Sequence, residues 1–300
     1  MITLDNITKT YNKGQVLAVK DISFSVKPGE LFGLIGPDGA GKTTLFRILT
    51  TLLLADKGSA VVNGYDVVKD YAKIRSSVGY MPGRFSLYQD LTIEENLHFF
   101  ATVFGTTIKE NYALIKDIYQ QIEPFKDRRA GKLSGGMKQK LALCCALIHK
   151  PAVLFLDEPT TGVDVVSRKE FWEMLARLKA EGITILVSTP YMDEAKLCDR
   201  IALIQKGSIL SIDDPAGIIR SFPDELYAVQ AGNTHLLLRE VRGYAGTSSC
   251  FAFGDALHVT FRNGEAPGLL PWLQGKGLPD ATMSAITPGI EDCFIHLLKS

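Results

Sequence analysis

Long apolar runs are scarce in this sequence, and glycine or charge interrupts each candidate, including the stretches around Leu31–Ile35 and Val153–Leu156. A membrane-spanning helix needs about 20 consecutive apolar residues, so no span is expected. Net charge is lacking too. Thirty-three basic and thirty-three acidic residues cancel, so no global field draws the chain to nucleic acid or to an anionic membrane surface. No nucleic-acid partner is expected, and any partner has to be recognised locally. The start, Met1-Ile2-Thr3-Leu4-Asp5, has neither the basic residues nor the apolar core of a signal peptide, and the expectation is a cytosolic, reducing environment. The five cysteines, Cys144, Cys145, Cys198, Cys250 and Cys293, form no CxxC pair and are read as packing residues. His98, His149, His235, His258 and His296 occur singly, without ligand spacing, which argues against zinc and for surface or packed roles. Internal repeats and low-complexity tracts are also missing, which leaves a solenoid without support.

What the chain does have is enough apolar material for a large core: 46% of its 300 residues are hydrophobic. Over about residues 1–220, short β-rich runs alternate with helical patterns. Strands are expected at Ile22–Val26, Leu31–Ile35, Ala60–Val62, Val78–Met81, Val153–Asp157, Thr184–Ser188 and Ile201–Gln205. Several are apolar almost throughout, as buried parallel strands are. Helices are expected after Lys42, over Thr92–Phe104, Lys109–Ile122, Gly135–His149 and Val166–Glu181. This order reads as an α/β domain with a helical insertion at about residues 84–150. Residues 221–300 lose the rhythm and suggest a small α+β domain, with strands at Leu226–Gln230, Leu236–Val241 and Leu257–Phe261 and helices near Pro267–Leu273 and Glu291–Leu298.

The chemistry concentrates at strand ends. Gly36-Pro37-Asp38-Gly39-Ala40-Gly41-Lys42-Thr43 fits G-x-x-x-x-G-K-[ST], directly after the apolar run Leu31–Ile35 and before a helix start, with Thr44 next. The glycines let backbone N–H groups turn toward phosphate oxygens, and the helix N-terminus adds positive potential. Lys42 is expected on the outer phosphates of a nucleotide and Thr43 on Mg²⁺. Asp38 is an acid beside expected phosphates, so its carboxylate is expected to point to solvent. Val153-Leu154-Phe155-Leu156-Asp157-Glu158 is a buried strand ending in two acids. Asp157 suits a metal ion, and Glu158 suits the orientation or deprotonation of an attacking water. Leu133-Ser134-Gly135-Gly136-Met137 opens a helix about twenty residues earlier, and its exposed Ser and glycines form a second anion site.

Taken in order, the P-loop, the LSGG helix start, Leu156-Asp157-Glu158-Pro159 and Thr161-Gly162-Val163-Asp164 resemble the nucleotide-binding domain of ABC proteins over about residues 1–220. The resemblance implies a P-loop NTPase core, Tyr11 stacked on adenine, and Asp164 in the loop that follows the second acid. It implies a head-to-tail dimer around two ATP molecules, each held by one subunit's P-loop and by the other's signature serine and glycines. It also implies transmembrane permease subunits, which carry the assembly on the inner face of the membrane. Their docking groove would lie near Phe85-Ser86-Leu87-Tyr88 and the helix bearing Leu91, Ile93, Leu97, Phe99 and Phe100. Met137, with the terminal stretch Thr287-Pro288-Gly289-Ile290-Glu291-Asp292-Cys293-Phe294, is most similar to daunorubicin-type and YbhF-like exporters of the ABC-2 kind.

Two positions depart from that family. Where it has a glutamine after the strand Val78-Gly79-Tyr80-Met81-Pro82, this chain has Gly83, and Gln89 is six residues further on. Where it has a histidine after Thr184–Ser188, this chain has Pro190, which offers no side-chain hydrogen bond. The reading is therefore an ATP-binding subunit of an exporter whose own P-loop site is degenerate, and a heterodimer with a second ABC ATPase is favoured over a homodimer. The alternative is a regulatory or structural ATP-binding subunit with little hydrolysis of its own.

Overall fold

The computed structural model describes residues 1–262, 266 and 268–299. The chain divides into two compact units, Met1–Pro215 and Ala216–Ser300.

In the first unit, β1 (Ile2–Tyr11), β2 (Val16–Val26), β3 (Leu31–Ile35), β4 (Lys57–Val62), β5 (Tyr65–Asp66) and β6 (Val78–Met81) are interleaved with α1 (Lys42–Leu49) and α2 (Tyr71–Ser77). Then come α3 (Ile93–Val103), α4 (Tyr112–Tyr119), α5 (Gly135–Leu147), β7 (Val153–Asp157), α6 (Val165–Ala180), β8 (Thr184–Thr189), β9 (Arg200–Gln205) and β10 (Ser208–Asp213). The short helix α7 (Pro215–Arg220) spans the division, so the chain divides a few residues before the boundary expected near 220.

Two sheets organise this unit. One is antiparallel, in the order β2-β1-β4-β5; the other has six strands in the order β10-β9-β3-β8-β7-β6. The pairings β9-β3, β3-β8, β8-β7 and β7-β6 are parallel. Strands β3 and β7 are buried at every position, which is why they read as unbroken apolar runs. One core joins the two sheets: Phe24 of β2 stacks on Phe32 of β3, and Phe46 of α1 meets Phe155 of β7 edge to face. The helix α3 starts on a capping box, with Thr92 accepting from Glu95 N and Glu95 accepting from Thr92 N. Its Ile93 and Leu97 are fully buried and serve as core of the helical insertion.

The second unit contains β11 (Leu226–Gln230), α8 (Thr234–Gly243), β12 (Thr247–Phe253), β13 (Ala256–Phe261), α9 (Leu269–Gly275), β14 (Thr282–Ile286) and α10 (Ile290–Leu297). The sheet order β12-β13-β11-β14, with all three pairings antiparallel, is that of a split βαβ, ferredoxin-like unit. Leu236–Val241, expected as a strand, is instead part of α8. The Asn233 side chain accepts from Leu236 N at 3.0 Å and caps the helix. The buried pair Leu237 and Val241 then sits four residues apart, on one helical face. Of the expected helix near Pro267–Leu273, Pro267 lies outside the described residues, and α9 covers Leu269 onward.

Among the described residues, no helix is long and apolar enough to cross a membrane. All five cysteines are buried, as their packing role requires, and burial pushes each thiol pKa up, that of Cys293 to about 11.

Candidate nucleotide-binding site

Parallel register brings the functional strand ends side by side. Ile35 of β3 pairs with Thr189 of β8, and Asp157 of β7 pairs with Ser188 of β8. Ligands gather at the carboxyl ends of such strands.

The loop from Gly36 to Gly41 leaves β3 and enters α1. Gly41 has φ +108°, and a Cβ there would fall 2.6 Å from the Ala18 carbonyl oxygen of β2, so a side chain is excluded by both backbone and space. The loop is pinned from behind, since Gly207 N donates to Ala40 O at 3.0 Å. The helix α1 begins with no side-chain cap. Its first-turn N–H groups therefore have no intrahelical acceptor and point into the loop, a site suited to phosphate oxygens. Asp38 is exposed, as expected of an acid beside phosphates.

Lys42 is 3% exposed. Its ammonium donates to the carbonyls of Gly36 (2.6 Å) and Pro37 (3.0 Å) and pairs with Glu158 Oε1 at 3.0 Å. A buried cation is thus held by two carbonyls and one carboxylate that phosphate oxygens can replace. Asp157, 2% exposed, accepts from Ser188 Oγ at 2.6 Å. Ser188 Oγ in turn accepts from Glu158 N at 3.0 Å. Glu158 has φ +52°, a sparsely populated conformation that turns the chain sharply after β7. Beside them, burial and the Asp157 carboxylate push the Tyr80 phenol up to about 12, so it stays neutral.

The donor set suits Mg-ATP: a hydroxyl on Thr43 and a carboxylate on Asp157 for the metal, uncapped amides and Lys42 for phosphates. Tyr11 reaches the first turn of α1, sharing a hydrogen bond of 3.3 Å between its hydroxyl and that of Thr44.

Gly83 lies against the two acids. A Cβ at that position would sit 3.0 Å from Asp157 O and 3.8 Å from Glu158 Cβ. Pro190 follows β8 in a segment fixed by Glu194, which is 2% exposed. The Glu194 carboxylate accepts from Thr160 Oγ1 at 2.8 Å, from Arg168 Nη2 at 3.0 Å and from Thr189 Oγ1. The Tyr191 ring packs under the Arg168 guanidinium. The sequence assigns Ser188 no role beyond ending a strand, and none to Arg168 or Glu194. For Ser188 the available signal was its place at the end of an apolar run, beside the strand carrying Asp157.

The signature starts α5 and packs against α6. Ser134 caps α5 by accepting from Met137 N at 3.3 Å, and Gly136 packs on Ser167 of α6. Asp164 caps α6 in turn, accepting from Ser167 N at 3.0 Å. Among the described residues, no hydrogen bond or ion pair joins residues 134–137 to the phosphate loop. A separate apolar groove of about 200 Å³ includes Tyr80, Leu87, Phe100, Phe104 and His149 in its lining. There His149 stacks on Phe104, its Nε2 lies 3.1 Å from Val78 O, and burial lowers its pKa.

The ABC transporter family model matches residues 19–161. The probable multidrug ABC transporter ATP-binding protein YbhF of Escherichia coli (strain K12) is 38% identical over 99% of this chain and 52% of its own length, so the chain spans about half of that relative. The Nod factor export ATP-binding protein I of Burkholderia orbicola (strain AU 1054) is 41% identical over 73% of each chain. The dimeric, post-hydrolysis structure of the ATP-binding cassette MJ0796, bound to ADP and Pi, matches with a TM-score of 0.65 at 25% identity. That match covers 71% of this chain and 98% of the other. With likeness of this extent in both sequence and fold, the chain belongs to the ATP-binding proteins of ABC transporters.

Proposed function

We propose that this chain binds Mg-ATP at Gly36–Thr44 and uses its hydrolysis to energise export through ABC-2-type transmembrane permease subunits, of the kind that move drug-like or lipid-like compounds. The observation that carries the reading is the meeting of Lys42 and Glu158 at 3.0 Å, with Asp157 and Ser188 directly behind them. Phosphates entering the loop take over the Lys42 ammonium and release Glu158 to face the attacking water. Thr43 and Asp157 would hold Mg²⁺, which would supply positive charge to the phosphates. The Tyr11 ring would stack on the base, a role supported by the hydrogen bond its hydroxyl shares with Thr44.

Dimerisation completes each site in this reading. That Ser134–Met137 make no hydrogen bond or ion pair to the chain's own loop among the described residues supports a head-to-tail pair in which this signature serves the partner's nucleotide. Gly83 and Pro190 remove two side chains from the contact shell of the local site while Lys42, Thr43, Asp157 and Glu158 remain. Each such loss typically lowers turnover by ~10²–10³. A heterodimer follows: a second ABC ATPase hydrolyses ATP against Ser134–Gly136, and the local site holds its nucleotide. The groove lined by Leu87, Phe100 and Phe104 takes the permease and keeps the subunit on the inner membrane face.

A second reading, a regulatory ATP-binding subunit, is favoured by the same Gly83 and Pro190. The two readings separate on turnover. The chain should hydrolyse ATP slowly alone and at least ~10-fold faster when co-purified with its permease and partner ATPase. Vigorous turnover by the isolated chain would remove the asymmetric assembly, and failure to bind nucleotide in either form would remove both readings.

A further inference from the structure

The sheet of the second unit has two differently used faces. Val229, Leu257, Val259 and Phe261 point to the side covered by α8 and α9, forming an apolar core with Leu237, Val241, Leu269 and Leu273. Strand alternation sends Leu226, His258 and Thr260 to the opposite side. There, with Phe251 and residues of α10, they enclose a cavity of about 220 Å³. A cavity of about 150 Å³ is enough for benzene, so this one suits a body of roughly ten non-hydrogen atoms.

Its walls are built rather than merely left over. Asp292, 7% exposed, accepts from His258 Nδ1 at 2.7 Å and from Gly289 N at 2.8 Å, so both carboxylate oxygens are committed. The imidazole is thereby fixed flat against Phe253, with its Nδ1–H committed to Asp292 and its ring a polar wall of the pocket. Ser249 Oγ and Thr260 Oγ1 lie 2.8 Å apart, and one hydroxyl proton of the pair stays free to donate. The Lys299 ammonium sits 4.3 Å from the Phe251 ring centre, without a carboxylate partner among the described residues. Phe222, Leu226, Phe251 and Ile295 supply an apolar surface around these groups.

We propose that this cavity binds a small organic carboxylate with an apolar body. Lys299 meets the carboxylate charge, the free hydroxyl proton of the Ser249–Thr260 pair donates to it, and the rings and Ile295 hold the hydrocarbon. The exposed Asp224 on the rim disfavours multiply charged anions, which separates this ligand class from inorganic phosphate. The inference is independent of the nucleotide reading.

The test titrates the full chain with phenylacetate, its neutral analogue phenylacetamide, a panel of linear, branched and aromatic carboxylates of similar size, and inorganic phosphate. Binding is followed calorimetrically and by NMR of isoleucine methyl groups. At least one carboxylate should saturate with Kd below about 1 mM, and its amide should bind ~10-fold or more weakly. The Ile295 methyl signal should shift, while those of Ile35 and Ile48, near the phosphate loop, should not. Lys299→Gln, at an exposed position without an ion pair among the described residues, should weaken binding about 10- to 100-fold and leave the melting temperature unchanged. The proposal is overturned if no carboxylate saturates, if acid and amide bind equally, or if Lys299→Gln binds like the parent.

Discussion

Restoring a side chain at Gly83 separates chemical loss from simple drift. A Cβ at this position falls 3.0 Å from the Asp157 carbonyl oxygen, closer than ordinary van der Waals contact, and Asp157 ends a fully buried strand that yields little. Gly83→Ala should therefore destabilise the first unit by about 1–2 kcal/mol, a fall in melting temperature of about 2–8 °C. Gly83→Gln meets the same steric obstacle but adds an amide beside Asp157 and Glu158. A single restored donor at such a site is worth up to ~10²–10³ in rate. Allowing for strain and for the second missing group at Pro190, turnover should rise ~10- to 100-fold over Gly83→Ala. The assay is steady-state phosphate release at saturating Mg-ATP, with melting temperatures measured on the same samples. Equal turnover by the Gln and Ala variants would refute the claim that the glycine costs catalysis.

Three further variants probe the neighbouring contacts. Glu158→Gln should lower whatever turnover the parent shows by ~10²–10³. ATP affinity should hold or improve, because Lys42 keeps its two carbonyl partners and loses the carboxylate that phosphates must displace. Parent-like phosphate release with this variant would exclude Glu158 as the base. Glu194→Ala leaves the Arg168 guanidinium with the Tyr191 ring and, as its remaining carboxylate among the described residues, a long contact to Asp193, 3.5 Å away. Urea unfolding should show a loss of about 3 kcal/mol, and an unchanged midpoint would contradict the network. Gly136→Ala puts a Cβ 2.7 Å from Ser167 Oγ and should cost about 1–3 kcal/mol. Adding Ser167→Gly should recover most of that loss, and strict additivity of the two changes would show that they do not touch.

The parts of the fold read from sequence were those whose pattern is local. Val153–Leu156 runs unbroken and apolar because both faces are buried, Val78–Met81 is nearly so with only Tyr80 half-buried, and the expected strands Val78–Met81 and Val153–Asp157 match those observed. The phosphate loop announces itself through glycines whose backbone no other residue adopts comfortably. The strand Ile2–Tyr11 escaped notice because it alternates buried and exposed positions irregularly around a left-handed Asn6. Leu236–Val241 misled because three adjacent leucines look like a strand, whereas the capping Asn233 and the four-residue spacing of Leu237 and Val241 decide for a helix. In the site, Lys42 is singled out by the glycine-rich loop pattern, and Asp157 and Glu158 by a buried strand ending in acids read together with that loop; the structure brings Lys42 and Glu158 within 3.0 Å. Ser188, Arg168 and Glu194 are not singled out, because their partners are set by strand register and by a contact between α6 and the segment after β8.

The central claim is that the loop at Gly36–Thr44 holds a nucleotide triphosphate through Lys42. Isothermal titration of Mg-ATP into the parent chain and into Lys42→Ala tests it most directly. Loss of the charged donor should weaken binding about 10- to 100-fold, with the fold intact by circular dichroism. Equal affinity in the two proteins would contradict the account.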